Sequence, residues 1–64
     1  MTAHEAKEYM KKQVRQMAHG DWKHRRKDMN EVRMQVVGMM KAFRAAGIIT
    51  EGWQDILEEV LDTI

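Results

Sequence analysis

Ala3, Ala6, Met10, Val14 and Met17 recur at spacings of three and four, the mark of one apolar stripe on a helix. Ahead of them, Thr2-Ala3-His4-Glu5 fits a capping box, in which Thr2 accepts a backbone N–H bond and Glu5 reaches back. Gly20 supplies a left-handed stop, and Asp21 is a good N-cap for whatever follows. The pattern predicts a first helix over 3–19.

A second, longer run follows. Trp22, Met29, Val36 and Phe43 lie seven apart, and Val32, Met39 and Ala46 form a parallel series. Together they make an a/d seam interrupted at Arg25, which predicts a central helix over 22–46 that stops at Gly47. At 1.5 Å per residue it would be about 37 Å long. Its halves differ. Between 22 and 33 only Trp22, Met29 and Val32 are apolar, whereas between 34 and 46 only Gln35, Lys41 and Arg44 are polar. The second half therefore reads as buried on several sides, with Met34, Met39 and Met40 packed inside. Gly38, Ala42 and Ala45 add a stripe of small residues against which another helix could pack closely.

The last segment has the cleanest amphipathic pattern. Trp53, Ile56, Leu57, Val60, Leu61 and Ile64 face one way, and Asp55, Glu58, Glu59 and Asp62 the other. With Thr50 as N-cap and Glu51 in the first turn, a third helix is expected over 51–63. The Gly47-Ile48-Ile49-Thr50-Glu51 turn resembles the turns of short C-terminal helical hairpins in bacterial proteins. Capping chemistry alone accounts for that likeness, and it names no family. The expectation is one all-α domain of three helices with a long central one, assembling as a dimeric helical bundle.

Charge changes the picture more than composition does. Residues 1–46 carry all eleven Lys and Arg against five acids, a balance of +6, while 47–64 carry five acids and no base, a balance of −5. The bland explanation is that the acidic helix lies beside basic ones, in the same chain or in a partner. Lys23, Arg25, Arg26 and Lys27, with Arg15 nearby, would lie beyond the reach of an antiparallel third helix. They would also sit at the positive end of the central helix's dipole, where each cation costs about 0.3–1 kcal/mol. A cluster so placed suggests an anionic partner, either a phosphate backbone or an acidic protein surface.

Chemistry for catalysis is poor. Zero cysteine removes disulfides and thiolate metal sites and fits a reducing, cytoplasmic compartment. His4 and Glu8 share a helix face, but two ligands do not make a metal site. His19, Asp21 and His24 cluster at a turn, where a capping aspartate between solvated histidines is the simpler reading. No phosphate-binding glycine loop, nucleophile elbow or zinc-protease motif occurs. No enzymatic activity, cofactor or metal is expected, and no membrane association.

Sixty-four residues bury only about 60% of their unfolded surface, so a second subunit would add needed burial. The expected function is a small helical interaction protein, an adaptor, inhibitor or accessory subunit, that forms a homodimer and docks on another protein. Its size suits a short phage or mobile-element reading frame, an origin that no residue establishes. The expected partner surface is Trp22, Met29, Val32, Val36, Met39 and Phe43. The alternative is a nucleic-acid-binding accessory protein that uses Arg15, Lys23, Arg25, Arg26 and Lys27.

Overall fold

A computed structural model describes every residue of the chain except 21, 24 and 64. Three helices pack against one another: α1 (Ala3–His19), α2 (Met29–Ala45) and α3 (Trp53–Leu61). No strand occurs among the described residues.

The first helix has the expected bounds and cap. Glu5 N–H donates to Thr2 Oγ1 at 3.1 Å, and Thr2 N–H donates to Glu5 Oε1 at 2.9 Å. Two orphan donors are thereby satisfied reciprocally. The Glu5 carboxyl is held below its ordinary pKa, chiefly by the Thr2 backbone bond and then by the Thr2 side chain. At the other end Gly20 has φ 70°, and its N–H donates to the Gln16 carbonyl at 2.8 Å.

The central helix starts seven residues later than the seam predicts. Asp28, not Asp21, is its N-cap, with Oδ1 accepting from Glu31 N–H at 2.9 Å. The expected capping role of Asp21 lies outside the described residues. The physical reason for the late start is burial. A helix beginning at 22 would expose four cations and Trp22 while adding nothing to the core, so tertiary packing gives those turns no support. Residues 25–28 instead form an irregular connection. Lys27 N–H donates to the Met17 carbonyl at 2.8 Å, which satisfies an end carbonyl of α1. The basic run thus follows the negative end of one helix, where cations are favourable, rather than opening the positive end of the next.

At its C-terminus α2 closes in a Schellman motif. Gly47, at φ 73°, donates to the Arg44 carbonyl at 3.1 Å, and Ile48 N–H donates to the Phe43 carbonyl at 3.0 Å. The third helix also starts later than expected. Thr50 and Glu51 stay in the turn, and Gly52, at φ 67°, takes the N-cap position without a side-chain cap. Ile49 is 1% exposed, so the connection is anchored from within. Its burial explains the delay: the chain dips into the core before it turns outward into α3.

The core is built from rows spaced by four. Ala6, Met10, Val14 and Ala18 come from α1, and Val32, Val36 and Met40 from α2. Leu57 and Val60 complete it from α3. Ala3, assigned to the first stripe by its spacing, is exposed, and Ala18 is buried in its place. Burying each such Val, Leu or Met contributes about 1.5–3 kcal/mol. Met40 packs inside and Met39 is half-buried, but Met34 is 74% exposed. The second half of α2 is therefore not enclosed all round, because α1 and α3 cover only one side of it.

Ring and ion-pair contacts also join the helices. The Tyr9 and Phe43 rings meet edge-on with centroids 6.2 Å apart, joining α1 to α2. Arg44 lies 6.0 Å from the centroid of the Trp53 ring, joining α2 to α3. Glu59 of α3 meets Lys11 at 3.0 Å and Lys7 at 3.3 Å, both on α1. The acidic helix does lie beside a basic one in the same chain, but that helix is the first.

Candidate docking surfaces

The basic residues singled out by charge all lie at or near the connection between α1 and α2. Arg15 is exposed on α1, and Lys23, Arg25 and Arg26 are exposed in the connection. Lys27 is half-buried and meets Glu31 at 3.8 Å, and Lys23 Nζ lies 4.8 Å from the centroid of the Trp22 ring. Arg25, Arg26 and Lys27 line a shallow depression together with Asp28 and Glu31. Two carboxylates thus share the surface with the cations, which lowers its attraction for a phosphate backbone.

The predicted partner seam divides in two. Val32 and Val36 are fully buried inside the chain, while Met39 and Phe43 are half-buried against the core. None of these four is a surface anchor. Trp22 and Met29 remain outside, 89% and 53% exposed. Heptad spacing was satisfied within the chain at Val32, Val36, Met39 and Phe43, and it leaves Trp22 and Met29 uncovered.

Two further surfaces are uncovered, one of them already marked in the sequence by the Gly38 stripe. On the outward side of α2, Met34 and Gly38 stand one turn apart, and a Cβ built on Gly38 would meet nothing within 4 Å. Along α3, a groove of about 490 Å³ is lined by Trp53, Leu57 and Leu61 and by the adjoining Gln54, Glu58 and Asp62. Arg33 of α2 closes its edge. The signal for this groove was present in the sequence. Trp53, Leu57 and Leu61 form one i, i+4, i+8 row, and Gln54, Glu58 and Asp62 form the adjoining polar row.

Glu59 has the clearest electrostatic perturbation among these groups. Its hydrogen bond from Lys11, followed by that from Lys7, holds its carboxyl below the ordinary glutamate range. The contact joins two helices and is structural. His4 and Glu8 do share a face, at 3.9 Å. No group of three metal-ligating side chains occurs among the described residues, and the Asp21 and His24 members of the turn cluster lie outside them. No described helix is long and apolar enough to cross a membrane.

These features define a small three-helix protein with uncovered apolar side chains at one end and on one helix face. No protein-family model, curated protein or solved structure matches the chain.

Proposed function

We propose that this chain is a small, non-enzymatic interaction protein that acts by docking, as an adaptor, inhibitor or accessory subunit, and that it pairs with a second copy of itself. The observation that carries this reading is that folding leaves large apolar side chains uncovered, among them Trp22, Met29 and Met34. Among the described residues ten hydrophobics are buried, and these three large side chains would gain burial only against another surface. Methionine suits such surfaces because its flexible thioether adapts to different partners.

Sedimentation equilibrium between about 1 and 200 μM tests the pairing, since a dimer gives twice the 7.6 kDa chain mass and a concentration-dependent melting temperature. A photo-crosslinking residue in place of Met34 tests docking inside the cell. Discrete adducts support it, and a complete lack of adducts overturns it.

A second reading, nucleic-acid binding, is favoured by one observation. Arg25 and Arg26 are exposed and make no ion pair among the described residues. Phosphate contacts would appear as a log–log salt slope of about −0.9 per phosphate neutralised on duplex DNA. An Arg25→Glu/Arg26→Glu variant should then lose binding while keeping its helical signal. No mobility shift of wild type at about 50 mM salt removes this reading.

A further inference from the structure

We infer that the second copy is held by reciprocal seating, in which Trp22 of each protomer enters the Trp53–Leu57–Leu61 groove of the other and Arg25 and Arg26 meet its acidic rim. This inference rests on the pairing proposed above and names the surfaces that make it.

The two surfaces are complementary in three respects. The first is shape and polarity. Trp22 is the most exposed of the large hydrophobics, an indole standing outside the fold with one neighbouring lysine beside its ring. The groove on α3 is lined by the half-buried Trp53 and Leu61 with Leu57, 9% exposed, between them, and its own chain's Trp22 is not among the lining residues. Trp is among the commonest interface anchors, because one flat ring buries about 150–250 Å².

Charge is the second. Next to the indole the sequence places Lys23, Arg25, Arg26 and Lys27, and beside the apolar row of the groove it places Glu58 and Asp62. Arg33 lines the same groove. Among the described residues Glu59 is the acid of α3 that pairs with α1, and no ion pair engages Glu58 or Asp62. Arg25 and Arg26, which make no ion pair among the described residues, thus find opposite charge in Glu58 and Asp62 of a second chain.

The third is area. An interface at the lower end of the stable range buries about 600–800 Å² per partner, roughly one-seventh of the 4810 Å² surface of this chain. One knob in one groove would fall short. A two-fold arrangement makes the contact twice, once in each direction, and closes on itself without leading to fibres.

The test uses the full chain in three forms, followed by sedimentation and by tryptophan fluorescence. Trp22→Ala removes only an exposed side chain, so the fold should persist by circular dichroism while self-association weakens at least ~30-fold. Arg25→Glu/Arg26→Glu and Glu58→Arg/Asp62→Arg should each lose self-association. Mixing these two charge variants should restore a dimer, because both contacts are matched again in the heterodimer. Wild-type fluorescence should shift to the blue with concentration as the indole leaves water.

A wild-type dimer that Trp22→Ala leaves equally tight overturns this inference and keeps the pairing, which then belongs to the outward face of α2. Failure of the mixed charge variants to associate also overturns it. A wild type that stays monomeric at about 200 μM overturns both. If the arginine variant loses DNA retention but keeps its dimer, the basic segment belongs to nucleic acid instead.

Discussion

Lys11 and Glu59, 48 positions apart in the chain, meet at 3.0 Å and tie the last helix to the first. The Lys11 side chain is only 15% exposed, whereas that of Glu59 remains half open to water. Lys7 reaches the second carboxylate oxygen of Glu59 at 3.3 Å, so one acid gathers two bases one turn apart on α1.

The sign of the resulting pH dependence follows from the lowered carboxyl pKa of Glu59, caused first by the Lys11 hydrogen bond and then by that of Lys7. A depressed acid contributes stability above its unfolded pKa, and that contribution is lost as pH falls through the folded value. Wild type should therefore melt slightly above Glu59→Gln at neutral pH. The gap should close as pH drops through and below the ordinary glutamate value of about 4.3. Melting curves against pH, with a carbon-detected titration of the Glu59 carboxyl, check both halves of this expectation.

Core substitutions on α3 should separate by burial rather than by residue type. Leu57 is 9% exposed and belongs to the core cluster to which all three helices contribute, so Leu57→Ala should cost about 2–5 kcal/mol and approach the whole stability of the domain. Ile56 is half-buried, and Ile56→Ala should cost visibly less. Urea titrations of the two variants decide the order. Equal losses would mean that Ile56 is covered by a second chain.

The start of α2 is open to a direct check. Asp28→Ala removes the acceptor for Glu31 N–H and should cost about 0.5–2 kcal/mol. It should also reduce hydrogen-exchange protection in the first turn after Met29. Unchanged stability and protection would place the helix start elsewhere.

Two glycines of the same region should respond oppositely to alanine. Gly47 holds φ 73° in the Schellman turn, and Gly47→Ala should destabilise by about 1 kcal/mol. Gly38 is helical with open space beyond its Cβ, so Gly38→Ala should stabilise the folded chain by about 0.5–1 kcal/mol. Thermal melts at low protein concentration measure both. A loss of stability for Gly38→Ala that appears only at high concentration would place another helix against that face.

Local chemistry was enough to specify the first helix and the end of the second. The Thr2/Glu5 capping box and the Gly47 stop act within a few residues, so their outcome is written in adjacent side chains. The three-helix count and the inward rows at 10 and 14 and at 57 and 60 also follow from spacing alone. The start of the second helix was a different matter. The seam of sevens placed the start at Trp22 with Asp21 ahead of it, whereas the helix begins at Met29 behind Asp28. What decided between them was whether the intervening turns had anything to bury against, and α1 and α3 supply no surface there.

The same reason governs the orientation of α2. Its apolar residues surround the axis, so periodicity could not say that Val36 turns inward and Met34 outward until two neighbouring helices covered one side. Nor could charge balance say that Glu59 would meet Lys7 and Lys11 rather than a base on the neighbouring helix. That pairing depends on how α3 crosses α1, which is set by the packing of Leu57, Val60 and Ile49 into a core shared by all three helices. Interactions a few residues apart are encoded locally, whereas contacts between distant segments exist only once the helices have chosen which faces to share.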